Sequence, residues 1–358
     1  MTDIFINYGV NLKEMTYELM EAAKIADKLN TGMKVGIKPN LVVSRPAEEG
    51  ATTHPEIIEG IICYLQANGI RKITILEGSW VGDSTQSAFR NCGYTALAEK
   101  YGVNLLDTKR DKVVKVKGKD LLFSVCESAL NLDYLINVPV LKGHCQTGMT
   151  CCMKNLKGCI PDSEKRRFHT IGLDKPIALL NTVLRPALHI VDSVCGDLSF
   201  EEGGNPVTAN RIMLGFDPVL LDSYGAGLMG FQPDEIGYLR IAKENGIGKF
   251  TDAATKILEF NAKNRPKRSN AHGSTVKKLS KYAMEDSACS ACYAALMYAL
   301  DKAGGIQGET IKIGQGYRDK VLPGIGVGNC TSGCERFVKG CPPKASDIVS
   351  FIKTENRR

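Results

Sequence analysis

Five cysteines near the C-terminus have types and spacing that could do chemistry. They read Cys289-Ser-Ala-Cys292, then Cys330-Thr-Ser-Gly-Cys334, then Gly340-Cys341-Pro342-Pro343. Thiolates grouped this way, with proline directly after the last, suit a [4Fe-4S] cluster. Such a cluster relays electrons or polarises a ligand as a Lewis acid. Cys289 and Cys292 stand three positions apart, so both fall on one helical face or in its first turn. A cubane takes four thiolates, so Cys330 and Cys334 compete for one place beside Cys341. Zinc is the rival occupant. Zinc ribbons usually show two CxxC knuckles, whereas here the second half is Cys-x3-Cys and a distant Cys-Pro.

A second group lies mid-chain, in the run from Leu141 to Pro161. Lys142, His144, Lys154, Asn155 and Lys157 stand there among glycines and small residues. Lysines beside a backbone that glycine lets approach closely suit a carboxylate or phosphate. His144 can move a proton near neutral pH, and His169 can join it. Asp192, at the end of a strand expected over 188–191, can orient one of these histidines. Cys145, Cys151, Cys152 and Cys159 form no clean CxxC and read as small buried hydrophobes.

The elements that must position these groups alternate between strand and helix. Residues 33–37 read as a strand running into Lys38-Pro39-Asn40. Thr52 or Thr53 can cap a helix opened by His54-Pro55, with Ile57, Ile58, Ile61, Ile62 and Leu65 on one face. Residues 72–76 read as a strand ending at Glu77, 88–101 as a helix closed by Gly102, and 103–106 and 134–140 as further strands. Residues 212–214 form a strand before Asp217-Pro218 and a helix over 220–229. This pattern predicts an α/β fold, a mainly parallel sheet with helical crossovers. Ligands gather at the C-terminal ends of such strands, which places Lys38, Asn40 and Glu77 at the binding rim. Near the C-terminus a helix is expected over 286–300, stopped by Gly304-Gly305, with a strand at 325–327 and a last helix at 347–352. Gly324-Ile-Gly-Val-Gly328 lacks dinucleotide-loop spacing and reads as backbone room around a cluster.

The 358 residues exceed what one compact core usually takes. The formal charge of +7 equals seven cations between Asn261 and Tyr282, a stretch without an acidic residue. The rest of the chain is neutral, so the basic run reads as a solvated linker rather than a nucleic-acid arm. The division expected is an α/β region over 1–255, divisible near 140, a basic linker over 256–284, and a small α+β cysteine-rich module over 285–358. Thirteen cysteines without a secretory leader point to a reduced cytoplasm, in an anaerobic or microaerobic cell. No apolar run approaches the roughly 20 residues that span a bilayer.

Several blocks resemble the domain-of-unknown-function 362 family. They are Lys38-Pro39-Asn40-Leu41 with Thr53-His54-Pro55-Glu56, Val138-Pro-Val-Leu-Lys142, Met153-Lys-Asn-Leu-Lys-Gly158, His169, Val191-Asp192, and Gly215-Phe216-Asp217-Pro218-Val219 with Asp222. The resemblance implies an iron–sulfur protein, and in its CxxC…Cys…Gly-Cys-Pro-Pro form Cys330 is the third ligand and Cys334 is extra. A fainter, fold-level likeness to nickel-pincer lactate racemases would make His144, His169 and Lys154 the comparable residues. The expected function is a redox protein binding a small anionic substrate and exchanging electrons with a partner protein. The alternatives are a non-catalytic electron carrier or cluster-bearing assembly factor, and a zinc-stabilised nucleic-acid-binding protein.

Overall fold

The structure, a computed structural model, describes residues 2–198, 201–266 and 274–357. An eight-stranded sheet runs, edge to edge, through Ile257–Phe260, Ile4–Tyr8, Pro206–Gly215, Leu188–Asp197, Tyr134–Val138, Lys34–Pro39, Lys72–Glu77 and Asn104–Asp107. Pro206–Gly215 is antiparallel to both its neighbours, and the other pairings are parallel. The α/β, mainly parallel architecture expected from the alternation is therefore what the chain adopts.

The strand sequences are apolar on both faces, as a sheet covered on both sides requires. Val35, Ile37, Ile73, Ile75, Ile136 and Ile190 pack into one layer with the helices Leu12–Ala22 and Pro55–Ala67. Leu76, Leu135, Val191 and Met213 alternate to the other face. There they meet Phe168, Ile177, Leu180 and Leu221 and the buried cysteines 151, 152 and 159.

A smaller sheet of four parallel strands, Ala283–Glu285, Ile311–Ile313, Leu322–Val327 and Cys334–Val338, forms the C-terminal module. Its helices are Ser290–Ala303 and Ala345–Glu355. The first stops at Gly304, whose φ of 75° suits a residue without a side chain. Gln146 ties this module to the large sheet. Its Nε2 donates to Glu285 Oε1 at 2.6 Å and to the Ala288 carbonyl at 3.0 Å, and its Oε1 accepts from Ser290 Oγ at 3.0 Å.

Several elements differ from the sequence reading. The helix expected over 88–101 is two helices, Thr85–Asn91 and Tyr94–Tyr101, because Gly93 turns the backbone to a φ of 81° between them. Neither Thr52 nor Thr53 caps Pro55–Ala67; His54 holds the cap position. The Thr53 hydroxyl instead accepts from Asn40 N and donates to the Val138 carbonyl, both at 2.8 Å. The strand expected to end before Asp192 continues to Asp197, so Asp192 lies inside it. Residues 257–260, placed in the linker on composition, are the outermost strand of the large sheet. Of the linker cations, Lys267 and Arg268 lie outside the described residues. The helix expected from 286 begins at Ser290.

Candidate functional site

Cys289, Cys292, Cys330 and Cys341 line one pocket of about 390 Å³ in the C-terminal module. Cys289 holds the N-cap position of the helix Ser290–Ala303 and Cys292 lies in its first turn; burial raises both thiols, Cys292 to about 12, so a bound metal would be needed to draw them to thiolate. Cys330 follows Leu322–Val327 after Gly328, whose φ of 93° makes the turn. Asn329 joins the two remaining loops: its N donates to the Gly340 carbonyl at 2.9 Å, and its Oδ1 accepts from Gly340 N at 2.8 Å. Cys330 and Cys341 are thereby held on one side of the pocket. Arg318 Nη2 lies 3.6 Å from Cys330 Sγ. Cys334 begins the edge strand, is buried, and does not line the pocket.

The donor set can be tested against its two candidate occupants. Around one tetrahedral zinc, sulfurs at about 2.3 Å from the metal stand about 3.8 Å apart. Among the described residues, Cys151, Cys152 and Asp222 are the group of three whose ligand atoms lie mutually within 4.8 Å. The pocket's four thiols come from three separate segments and form the four-thiolate donor set that either occupant takes.

A larger cleft, about 800 Å³ with its open mouth, adjoins this pocket. Cys289, Cys292 and Cys341 line both, and so does Arg166. The opposite wall comes from the C-terminal ends of Lys34–Pro39 and Lys72–Glu77 and from the block around Lys154. Val42, Val81, Pro342 and Trp80, the chain's single tryptophan, give the cleft an apolar side.

Most charges of this rim are spent on one another. Lys38 Nζ donates to Glu77 Oε2 at 2.8 Å, to the Pro39 carbonyl at 2.7 Å and to Asn155 Oδ1 at 3.2 Å. A side chain at Gly158 would collide with both members of the Lys38–Glu77 pair. Lys154 Nζ bonds Glu201 Oε1 at 2.5 Å. Lys165 Nζ bonds the carbonyls of Gly78 and Ser79 at 3.0 and 2.9 Å. Lys157 has no such partner among the described residues, and Nζ stands 6.0 Å from the Phe168 ring centroid. Burial, and then its neighbour Lys154, push its ammonium down to about 7. His169 Nε2 lies 3.4 Å from Ser290 Oγ, while its buried Nδ1 is without a partner among the described residues. Burial, followed by Lys157, holds this imidazole well below its ordinary value.

Lys38, Asn40, Lys154, Asn155, Lys157 and His169 thus share one cleft. Lys142, His144 and Asp192 do not line it. Lys142 is fully buried and donates to the carbonyls of Ala51 and Glu201, at 2.6 and 2.8 Å. His144 Nδ1 accepts from the N–H groups of Gln146 and Thr147, both at 3.1 Å. Its proton is therefore on Nε2, which lies 2.9 Å from Glu201 Oε2. Burial pushes this imidazole down to about 4, so it is neutral and closes the hairpin turn. Asp192 orients neither His144 nor His169. Its Oδ2 accepts from both N and Nδ1 of His54 at 2.8 Å.

Four cleft residues were not singled out from the sequence as ligand-binding or catalytic: Trp80, Lys165, Arg166 and Glu201. Arg166 stood close to His169 in the sequence, but no local pattern marked Glu201. Cys151, Cys152 and Asp222, though close, are spoken for. Asp222 accepts from Cys152 N at 2.7 Å and Met153 N at 3.1 Å, capping the short helix Cys152–Asn155.

A thylakoid-associated protein of Synechocystis sp. is 26% identical over 205 residues, 57% of this chain and 60% of the relative, so the match spans less than two thirds of that protein. Among solved structures, the lactate racemase apoprotein of Thermoanaerobacterium thermosaccharolyticum is similar over 65% of this chain and 57% of its own, at 13% identity and a TM-score of 0.41. A structural-genomics protein of Thermotoga maritima is similar over 66% of this chain and 60% of its own, at 12% identity and a TM-score of 0.40. The family model described as domain of unknown function (DUF362) matches residues 35–227, more than half the chain, and the protein belongs to that family.

Proposed function

We propose that this protein is an iron–sulfur redox protein that binds a small organic anion against its cluster. The carrying observation is that Cys289, Cys292 and Cys341 line both the thiol pocket and the cationic cleft. Cys289, Cys292, Cys330 and Cys341 would hold a [4Fe-4S] cluster, which supplies one-electron transfer when bound. Among the described residues Lys157 and Arg166 line the cleft without a carboxylate partner; an anion would draw Lys157, whose ammonium is pushed down to about 7, to its charged form, and the two would hold a carboxylate or phosphate. Trp80, Val42 and Val81 would cover the ligand's apolar body, and His169 would take or return a proton at Nδ1. Lys38, Lys154 and Asn155 shape the rim through their mutual bonds. Thirteen free cysteines favour a reducing compartment, and we assign the cytoplasm. No described helix is long and apolar enough to cross a membrane.

The second reading is an electron carrier or cluster-bearing assembly factor docking on a partner protein. It is favoured by Cys341, which is exposed. Electron paramagnetic resonance separates the two. Anaerobic, dithionite-reduced protein should give a cluster signal whose g-values shift on adding benzoate or phosphate. Lys157→Met should abolish that shift without removing the signal. A signal unchanged by either anion at saturating concentration would leave the carrier reading.

A further inference from the structure

A groove of about 1160 Å³ lies at the opposite end of the large sheet's strands from the cleft. His189, near the start of Leu188–Asp197, and Pro218, just after Pro206–Gly215, mark that end. Lys117, Lys119 and Arg185 line the groove and are exposed, and no carboxylate lines it among the described residues. His189 and Asn181, both buried, also line it.

Both buried residues have an unspent hydrogen-bonding atom. Asn137 Oδ1 accepts from Asn155 Nδ2 at 2.8 Å, so the amide nitrogen of Asn137 faces His189 Nδ1, at 3.1 Å. Nδ1 is then an acceptor and the imidazole proton sits on Nε2. Nε2 has no partner among the described residues. Burial keeps the ring neutral, pushing it down to about 3. Asn181 Nδ2 donates to the carbonyls of Ile177 and Met153, at 2.9 and 3.3 Å, while its Oδ1 is left without a donor among the described residues. Leaving a buried donor or acceptor unpaired costs about 1–3 kcal/mol each. An ordered water or a ligand group relieves that cost, and three cations without a carboxylate favour a ligand with negative charge.

We propose that this groove is a second ligand site, for an organic anion that carries a hydroxyl beside its phosphate or carboxylate. The anionic group would sit among Lys117, Lys119 and Arg185. An acceptor oxygen would take the Nε2 proton of His189, and the hydroxyl would donate to Asn181 Oδ1. The site is independent of the cluster, yet joined to the cleft by one hydrogen-bonded series. Glu77 accepts from Lys38, Lys38 donates to Asn155, Asn155 to Asn137, and Asn137 to His189. Occupancy at Nε2 would fix the inner members of that series behind Lys38.

Calorimetric titration of the full chain tests this with glycerol 3-phosphate, malate and inorganic phosphate as probes. In the Lys157→Met background, which disables the cleft, at least one hydroxylated anion should saturate a single site, more tightly than inorganic phosphate. Trp80 emission from the cleft should change with it. The surface triple variant Lys117→Ser, Lys119→Ser, Arg185→Ser, which leaves the buried residues intact, should weaken binding at least about 10-fold. His189→Phe should do likewise in the same Lys157→Met background. The proposal fails if neither hydroxylated anion saturates, if inorganic phosphate binds as tightly, or if the triple variant binds as well as the parent. It fails equally if Lys157→Met abolishes binding, which would place the ligand in the cleft.

Discussion

The middle block and the C-terminal module are both rich in cysteine and use it differently. Cys151, Cys152 and Cys159 lie fully buried in the apolar layer beneath the sheet. Cys289, Cys292, Cys330 and Cys341 sit at a helix start and on two turns, and line a shared pocket. The lysines divide the same way. Lys38, Lys142, Lys154 and Lys165 each meet carbonyls or a carboxylate, whereas Lys157 meets neither among the described residues. A side chain is available for chemistry where the fold leaves its bonding capacity unspent.

The largest effect should come from exchanging cysteines between the two classes. Cys289→Ala, Cys292→Ala, Cys330→Ala and Cys341→Ala should each abolish iron binding, because each removes a ligand. Cys152→Ala and Cys334→Ala should retain iron and lose only packing stability. Iron bound per chain, measured after anaerobic purification, decides. Loss of iron in Cys334→Ala with retention in Cys330→Ala would reverse the ligand choice.

Lys38→Met comes next. It leaves Glu77, which is 3% exposed, as an unpaired buried charge. Removing one member of a buried pair costs about 3–5 kcal/mol, readable in urea unfolding. Lys157→Met breaks no such pair and should change stability by less than about 0.5 kcal/mol. Equal losses in the two variants would collapse the distinction between spent and unspent lysines.

A smaller effect concerns pH. Burial opposes the charge of His54, but the Asp192 carboxylate outweighs it and raises the imidazole to about 9. The group gains a partner on folding, so its stabilisation is fully present below its ordinary value of about 6.5. It is lost as pH rises through about 9. Stability should therefore fall by about 2–3 kcal/mol across that window, and His54→Asn should flatten the slope. A parent slope unchanged in His54→Asn would remove this pair from the account.

The parts legible in the sequence were those set by local pattern. Ile57, Ile58, Ile61, Ile62 and Leu65 announced a helix face, and Lys38 and Glu77 could be placed at strand ends because their strands are short apolar runs. What escaped depends on contacts between distant segments. Lys142-Gly-His144 reads as a loop that holds an anion and moves a proton, yet Glu201 and the Ala51 carbonyl close over it. Asp192 reads as a partner for a mid-chain histidine, but the sheet presents it to His54. Gly93 carried the signal that splits one expected helix into two, since a φ of 81° costs glycine little. Spacing alone left Cys330 and Cys334 equal. The strand Cys334–Val338 turns Cys334 away from the pocket, and a short local sequence does not specify that.

The central claim is that the four pocket thiols hold an iron–sulfur cluster at the wall of the cleft. Metal and acid-labile sulfide content of the anaerobically purified chain tests it most directly. The account predicts iron and sulfide in equal amounts, about four of each per chain, with zinc below stoichiometry. Stoichiometric zinc without sulfide would contradict it.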